Sequence, residues 1–340
     1  MRKISRHGML ASAFAAAMAL GASAGRAEPV QLKFAFMPPP QSPYMPMAIT
    51  PWSEAVQKAS QGGVEIKMFF GPQLATYNNV LDRLTNGVVE VAYGIFGNLG
   101  IQFPKMNVSV LPFEADDAET PSVVLWRLYQ RGLIADGLDV IRPLAIFVFP
   151  YSGLHGSKPI HTLDDMKGVK VAVFSRQGGE IIELLGGSAV AMQPTDLFQS
   201  LSRGVVQSSS MGWAGVPTFK LHEVAPQHVD ASLGNSPGFI FMSKEAYARL
   251  PEAGRGAVDS ASYEMFSRAM GRAGDRQAEA ARNRTKGMEG QAVYSLGKAE
   301  EAKWRERLKP ITEEWVRTTP NGAAILAAYR TELAKVRAGQ

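Results

Sequence analysis

The chain contains one segment twice. VLDRLTNGVVEVAYGIF (80–96) aligns without a gap with LFQSLSRGVVQSSSMGW (197–213), and both copies carry a leucine, a glycine three residues later, two valines directly after it and a large aromatic residue at the end. Each copy predicts a helix, a glycine turn, a strand and a loop. The spacing, from 80 to 197, is longer than the about 20–45 residues of a solenoid repeat. The duplication therefore predicts two similar α/β lobes.

Strand patterns alternate with helix patterns along much of the chain. Apolar runs at 30–36, 64–70 and 88–94 are separated by helix-like segments. This order is typical of a mostly parallel sheet that is covered by helices on both faces. We therefore predict an α/β fold.

The lobe boundaries follow from two further apolar runs. The run at 140–157 is interpreted as the passage from one lobe to the other, and 236–251 as the return. The expected parts are a first lobe over 28–150 with about 231–275 returning to it, and a second lobe over 151–230 with helices of about 276–340 packing on it.

The first 27 residues have the pattern of a secretory signal peptide. A basic start with Arg2, Lys3 and Arg6 precedes the apolar run 9–24, and small residues surround Ala27. The run is shorter than the about 18–20 apolar residues of a membrane anchor, which is the alternative interpretation. We therefore predict export to the periplasm with cleavage near Ala27.

Charge outside that segment is balanced. The chain has 36 Lys and Arg against 31 Asp and Glu, and four of the basic residues lie within 1–27, which leaves 32 against 31. A near-neutral surface indicates no nucleic-acid partner. The chain has no cysteine, so an exported protein of this kind depends on its hydrophobic core for stability.

The sequence offers no convincing catalytic set. It lacks the GxGxxG and P-loop nucleotide fingerprints and the HExxH zinc motif. His155, His161, His222 and His228 follow the predicted signal peptide, and the last two are six residues apart, which does not place them on one helix face. We interpret these two as ordinary helix-end histidines, and we expect no metal, no cofactor and no enzymatic activity.

Candidate binding residues follow the predicted strands. In open α/β sheets, ligands bind beyond the carboxyl ends of the strands. Aromatic and polar side chains at such positions are the candidate ligand-binding set: Phe36, Pro38, Tyr93, Phe96, Arg176, Met211, Trp213 and Asn235. Aromatic walls with one cation suit a small molecule with an apolar body and an anionic end. Core packing is the alternative for the aromatic residues.

Arg176 follows a predicted strand and begins a Gly-rich helix. A cation at a helix start is disfavoured by the helix dipole, by about 0.3–1 kcal/mol. The same position, beside free backbone N–H groups, is well suited to an anion. The alternative interpretation is a solvated charge without a ligand.

The block 161–224 resembles the DctP-type solute-binding subunits of TRAP (tripartite ATP-independent periplasmic) transporters. The stretches that carry the resemblance are TLDDMKGVKVAVF (162–174), IIELLGG (181–187), AVAMQPTDLFQSLSRGVV (189–206) and MSKEAYARLPE (242–252). The similarity extends over about 30–335. It implies a two-lobe periplasmic-binding-protein fold with mixed or parallel sheets, hinge strands and a long C-terminal helix spanning both lobes.

The resemblance also implies a function. Members usually bind an organic acid through an arginine and deliver it to membrane permease subunits driven by an ion gradient. We expect this chain to act as a monomer. This chain departs from the family at the usual arginine, where it has Ala172, and at the family's Asp-Gly, where it has Gln207 and Ser208. A subset of the family resembles it more closely, with features like Arg176 and Trp213.

These observations lead to one main hypothesis. The chain is expected to be an extracytoplasmic receptor for a monocarboxylate with an apolar or aromatic body, because one arginine beside several aromatic rings suits one charged end better than two. The alternatives are a receptor for a neutral ligand with Arg176 structural, an exported α/β enzyme, and a receptor that docks on a membrane sensor.

Overall fold

The computed structural model describes residues 28–340, and of 100–102 the backbone alone. The predicted signal peptide lies outside the described residues. The strands, numbered in chain order, form two sheets. The first contains β1 (Val30–Phe36), β2 (Val64–Phe70), β3 (Val91–Ile95), β4 (Ile141–Val148) and β10 (Pro237–Ser243). The second contains β5 (Ser152–Gly156), β6 (Lys170–Val173), β7 (Ser188–Ala191), β8 (Ser208–Gly212), β9 (Gln227–Asp230) and β11 (Ala292–Ser295).

Helices surround both sheets. The α-helices are α1 (Thr50–Ala59), α2 (Val80–Thr85), α3 (Glu119–Gln130), α4 (Arg176–Leu184), α5 (Leu197–Ser202), α6 (Gly215–Thr218), α7 (Lys244–Arg249), α8 (Glu252–Ala261), α9 (Glu264–Lys286), α10 (Lys298–Thr318) and α11 (Gly322–Arg337). A π-helix covers Met45–Ile49, and 3-10 segments cover Gly71–Gln73, Phe96–Gln102, Pro104–Val110, Leu163–Met166, Pro194–Asp196 and Leu221–Glu223.

Each sheet is parallel except for one reversed strand. The strand orders are β2-β1-β3-β10-β4 and β11-β9-β5-β8-β6-β7. β10 runs antiparallel to β3 and β4, and β5 runs antiparallel to β8 and β9. β5 follows β4, and β10 follows β9, so each is reached by a connection that leaves the carboxyl edge of the other sheet. Each therefore enters its own sheet at the carboxyl edge and runs antiparallel to its neighbours. The predicted α/β fold with two mixed sheets is confirmed.

The duplicated segment has the same local structure in both copies. Gly87 and Gly204 follow α2 and α5, and both have φ +70°. The next residue in each copy donates its backbone N–H to a helix carbonyl at 2.9 Å, Val88 to Arg83 and Val205 to Ser200. β3 and β8 then pair in parallel with β1 and β6. The repeat is therefore structural: a left-handed glycine ends the helix and returns the chain to the sheet.

One long helix contacts the layers of both sheets. α9 has 23 residues, about 34 Å at 1.5 Å per residue. Its first half packs on α3 and β4, while Ala278 and Ala281 near its end contact the apolar cluster of the second sheet. This is the long helix that the family resemblance predicted.

The last helix differs from the expectation for 276–340. α10 contacts α4 of the second lobe, but α11 packs on α3, which covers the first sheet. Ile325, Tyr329 and Leu333 are buried there, and Glu332 pairs with Arg127 of α3. The expectation that all helices of 276–340 pack on the second lobe is wrong for α11. The apolar face of α11 packs on α3, and its Glu332 forms an ion pair with Arg127 of α3.

Candidate functional site

Two chain connections join the sheets and lie side by side. Residues 149–151 lead from β4 to β5, and 231–236 lead from β9 to β10. The Phe149 N–H donates to the Ser236 carbonyl at 2.9 Å, and the Ser152 N–H donates to the Gly234 carbonyl at 3.1 Å. The carboxyl ends of the parallel strands of both sheets face this crossing, which is where ligands bind in open α/β sheets. We call the crossing and the sheet edges that face it the cleft.

Asn235 holds the crossing together. Its side-chain amide is 1% exposed and donates to the backbone carbonyls of Asp117 at 3.0 Å and Phe149 at 3.1 Å. Its own backbone N–H donates to the Ser109 carbonyl. Asn235 was predicted to contact the ligand, but its side-chain N–H groups donate to backbone carbonyls of the protein itself.

Aromatic side chains line the carboxyl edge of the first sheet. The Tyr93 ring lies 4.9 Å from Phe36 and 6.3 Å from Phe149, and the Tyr44 ring lies 6.2 Å from Phe149, between ring centroids. Tyr77 is 6.4 Å from Tyr93. We call these five residues the aromatic wall. No hydrogen bond to a Tyr44, Tyr77 or Tyr93 hydroxyl is found in the part of the chain that the structure describes.

The phenol groups of the aromatic wall are neutral over a wide pH range. Burial raises the pKa of Tyr77 to about 12. Burial also raises the pKa of Tyr44, assisted by the charge of Asp275, and the pKa of Tyr93. The three hydroxyls interact electrostatically, so they lie near one another and can donate hydrogen bonds without carrying charge.

Two further candidates lie away from the aromatic wall. Phe96 is 2% exposed and packs against Phe103, Phe239 and Phe241 at 5.1–5.7 Å. For Phe96 the structure therefore shows core packing, which was the alternative. Phe36 at 0%, Tyr93 at 2% and Trp213 at 2% exposed are buried in the same way, so core packing describes these candidates too. Pro38 is half-buried in the loop after β1.

A carboxylate of the second sheet holds Trp213 in place. Its indole N–H donates to Asp230 Oδ1 at 2.9 Å, and the same oxygen accepts the Tyr151 hydroxyl at 2.6 Å. Arg282 of α9 donates to the other oxygen at 2.8 Å. Burial alone would raise the pKa of Asp230, but these three donors outweigh it and hold the pKa below its usual range. Asp230, the last residue of β9, therefore fixes the Trp213 ring beside the crossing.

A buried histidine pair supports Trp213. His155 of β5 and His228 of β9 are paired across the sheet, and their Nδ1 atoms are 2.9 Å apart. The Trp213 ring lies 4.9 Å from His155 and 5.3 Å from His228. Met211 is half-buried near the end of β8. Its backbone carbonyl oxygen lies 3.0 Å from His155 Nε2. His228 thus lies in a strand, and the helix-end interpretation was wrong for it, because its partners come from β5 and β11.

Arg176 begins α4, as predicted, but it is not buried in the cleft. Its side chain is 88% exposed, and its Nε donates to Glu180 Oε1 at 2.8 Å. Ser175 caps the helix by accepting the Gly178 N–H at 3.0 Å. The neighbouring Gln177 reaches the Val110 carbonyl of the first lobe at 3.4 Å. The start of α4 therefore borders the crossing, with Arg176 held in a surface ion pair.

Sequence reasoning missed the residues that position these side chains. Asp230, Tyr151 and Arg282 are far apart in the sequence and meet at one carboxylate. Tyr77 follows a predicted strand by several loop residues, and no local pattern distinguishes it, whereas the turn that contains Tyr44 could be placed at the carboxyl end of the first strand. The one available signal was the concentration of tyrosines near strand ends in the first third of the chain.

One short segment of the described chain has the spacing of a catalytic motif. GNSPG (234–238) has the spacing of the GxSxG nucleophile motif, but it leads into the strand β10 and not into a helix, so it is not a nucleophile elbow. Residues 28–340 contain no group of three or more His, Asp and Glu side chains that could hold a metal ion. Over the same residues no helix combines the length and the apolar character needed to cross a bilayer.

Comparisons with known proteins agree with this architecture. The family model described as DctP, bacterial extracellular solute-binding protein family 7, matches residues 34–318. The outer membrane transporter protein TsaT of Comamonas testosteroni is 27% identical over 311 residues, which cover 88% of this chain and 90% of that protein. A TRAP solute binding protein from Rhodoferax ferrireducens T118, solved in complex with copurified benzoate, is 25% identical with a TM-score of 0.82 and covers 92% of this chain and 100% of that one.

A second solved structure has the same fold. It is a marine metagenome TRAP solute binding protein specific for aromatic acid ligands, in complex with metahydroxyphenylacetate, with a TM-score of 0.83, 24% identity and coverage of 90% of this chain and 99% of that one. The resemblance predicted from the sequence is confirmed, because the family model spans most of the chain. This chain belongs to the bacterial extracellular solute-binding protein family 7, the DctP family of TRAP receptors.

Proposed function

We propose that this protein is a receptor for a small aromatic monocarboxylate, which it captures in the cleft and delivers to a TRAP-type membrane permease. The observation that carries the proposal is the aromatic wall at the carboxyl edge of the first sheet, with Trp213 across the crossing. Flat rings on both sides suit an aromatic body. Two relatives of the same fold bind benzoate and metahydroxyphenylacetate, which supports the proposal.

The anionic end of the ligand needs a partner, and Arg176 is the proposed one. The family position for the arginine is Ala172, which is buried in β6. Arg176 lies at the carboxyl end of the same strand, at the start of α4. A carboxylate can replace Glu180 as its acceptor and add the backbone N–H groups of the helix start.

Location and assembly complete the proposal. The chain is exported with cleavage near Ala27, acts in the periplasm as a monomer without a cofactor, and performs no catalysis. The two lobes close around the ligand by bending at the crossing, because a ligand that contacts both lobes favours the closed state.

A ligand screen tests the proposal on the mature chain from Glu28. Thermal shift and then calorimetric titration compare benzoate and mandelate with cyclohexanecarboxylate, succinate and benzyl alcohol. A ligand at about 100 times its Kd adds about 2.7 kcal/mol to the stability of the folded form. We expect the aromatic monocarboxylates to bind most tightly. If benzyl alcohol binds as tightly as benzoate, the result would favour a receptor for a neutral ligand. Turnover of any of these compounds would favour the alternative of an exported α/β enzyme.

A further inference from the structure

The His155–His228 pair is not used by the proposed ligand site. Both side chains are 0% exposed, and they face each other across neighbouring strands with their Nδ1 atoms 2.9 Å apart. That separation is a hydrogen-bond distance, so one of the two nitrogens has to carry a proton.

The outer nitrogens of the pair also need protons. His155 Nε2 lies 3.0 Å from the Met211 carbonyl oxygen, which can only accept. His228 Nε2 lies 2.9 Å from Gln291 Oε1. The orientation of the Gln291 amide is set by its own Nε2, which donates to the His222 carbonyl at 2.9 Å. Both Nε2 atoms are therefore donors.

Counting the ring protons shows that two neutral imidazoles are one proton short of what these three contacts need. Two neutral imidazoles carry two ring N–H groups, and both are used by Met211 and Gln291. The two Nδ1 atoms would then face each other as bare acceptors at 2.9 Å. We propose that His155 and His228 form a proton-binding site that holds one additional proton between the two Nδ1 atoms, inside the second sheet.

The surrounding charges fit one added proton and not two. Asp230 on β9 favours a charge on His155, while His222, in the segment before β9, disfavours one on His228. Arg282 of α9 and Tyr151 are both bound to Asp230, and β11 places Val293 beside His228. The Trp213 ring is within 6 Å of both imidazoles, a distance at which an aromatic ring attracts a cation. Burial is the largest cause that lowers the pKa of both imidazoles, that of His155 to about 3, so the donor geometry has to outweigh the cost of burying one charge, and a second charge is excluded.

Nitrogen NMR of histidine side chains tests the proton count directly. The mature wild-type chain, labelled with ¹⁵N-histidine, is titrated from pH 8 to pH 4, and the protonated ring nitrogens are counted from their chemical shifts. His161→Gln removes an exposed histidine and assigns its signals. We expect three protonated nitrogens on the pair at pH 5 in the folded protein. Two protonated nitrogens at pH 5, with folded spectra, would overturn the proposal.

A variant separates the proton site from a purely structural role. Gln291→Leu removes the acceptor that forces a proton onto His228 Nε2, so the pair is satisfied by two protons. We expect the proton affinity of the pair to fall at least tenfold, which lowers the midpoint of its titration by at least one pH unit. A loss of stability with an unchanged midpoint would contradict the proposal. The wild-type count decides the question if the variant does not fold.

Discussion

At the scale of single residues, Arg176, the proposed partner of the ligand anion, is held only by a weak surface ion pair. Arg176 and Glu180 form an exposed ion pair four residues apart in α4, a kind of pair that contributes about 0.3–0.5 kcal/mol. A bidentate carboxylate in a partly closed cleft offers Arg176 a stronger partner. In the proposed site, Glu180 would compete with the ligand carboxylate for the Arg176 guanidinium group.

Two substitutions test Arg176. Arg176→Ala is expected to weaken aromatic acid binding at least about 100-fold, or about 2.7 kcal/mol, measured by calorimetric titration. Glu180→Gln is expected to leave binding unchanged or to strengthen it, because the competing carboxylate is gone. Arg203→Ala, which removes another exposed arginine of the second lobe, is the control. A change below threefold for Arg176→Ala would exclude Arg176 from the site.

Asp230 determines stability at the residue scale. Asp230→Asn leaves Arg282 without its anion, and we expect a loss of about 2–4 kcal/mol, below the 3–5 kcal/mol of fully buried pairs because Arg282 keeps some contact with water. Asp196→Asn, an exposed substitution with the same charge change, is the control and is expected to lie within about 0.5 kcal/mol of wild type.

The pH dependence of the same variant has a definite sign. The pKa of Asp230 is lower in the folded protein than the value of about 3.9 in unfolded chains. Its contribution is therefore complete above about pH 4 and is lost as the pH falls below that value. The difference in melting temperature between wild type and Asp230→Asn should therefore shrink as the pH is lowered through the unfolded value of about 3.9 and further. A constant difference would contradict the assignment of the stabilising contact to the ionised carboxylate.

At the scale of elements, close helix packing joins α9 to the first lobe. A Cβ placed on Gly271 of α9 would lie 2.6 Å from the Ala118 carbonyl oxygen and 2.6 Å from Ser122 Oγ. Asp275, one turn further on, accepts the backbone N–H groups of Ala118 and Glu119 at 2.7 and 2.8 Å. α9 therefore approaches the start of α3 so closely that it also caps it.

A pair of glycine substitutions tests that packing. Gly271→Ala is expected to destabilise the protein by about 1–3 kcal/mol through overpacking against backbone atoms. Gly256→Ala in α8 meets nothing within 4 Å and should stabilise by about 0.5–1 kcal/mol, the difference in helix propensity. Melting by calorimetry measures both. Equal effects of the two substitutions would contradict the close approach of α9 and α3.

At the scale of the whole molecule, the crossing decides how the lobes are held relative to each other. Residues 149–151 and 231–236 are joined to each other and, through Asn235, to the Asp117 and Ser109 carbonyls of the first lobe. The hydrogen bonds of Asn235 therefore anchor the crossing to the first lobe. Closure around a ligand is therefore expected to pivot about the residues between Asn235 and the second sheet.

Asn235→Ala tests this anchor. It leaves the carbonyls of Asp117 and Phe149 without the amide donors, and we expect a loss of about 2–4 kcal/mol. Asn98→Ala, at an exposed position, should change the stability by less than about 0.5 kcal/mol. Thermal melting compares the two variants. A loss below 0.5 kcal/mol for Asn235→Ala would show that its two hydrogen bonds do not anchor the crossing.

Much of the local structure could be predicted from the sequence. The duplicated segment predicted both helix–glycine–strand units, and Arg176 was placed at the start of its helix. The direction of β10 and the partner of α11 could not be predicted, because each depends on where a distant part of the chain leaves its sheet. For the site, Tyr93, Phe36 and Trp213 were named as candidates, whereas the carboxylate that fixes Trp213 was not.

The elements, the two-lobe pattern and the family could be inferred from the sequence, because periodicity, glycine turns and motif spacing act over a few tens of residues. Tertiary structure alone decided which side chains meet. Asp230 accepts hydrogen bonds from Tyr151 directly before β5, from Trp213 directly after β8 and from Arg282 of α9, and His155 meets His228 across a strand pair; these contacts span 17 to 79 residues. Buried polar groups have to find hydrogen-bond partners wherever packing brings them, and a local pattern does not record those partners.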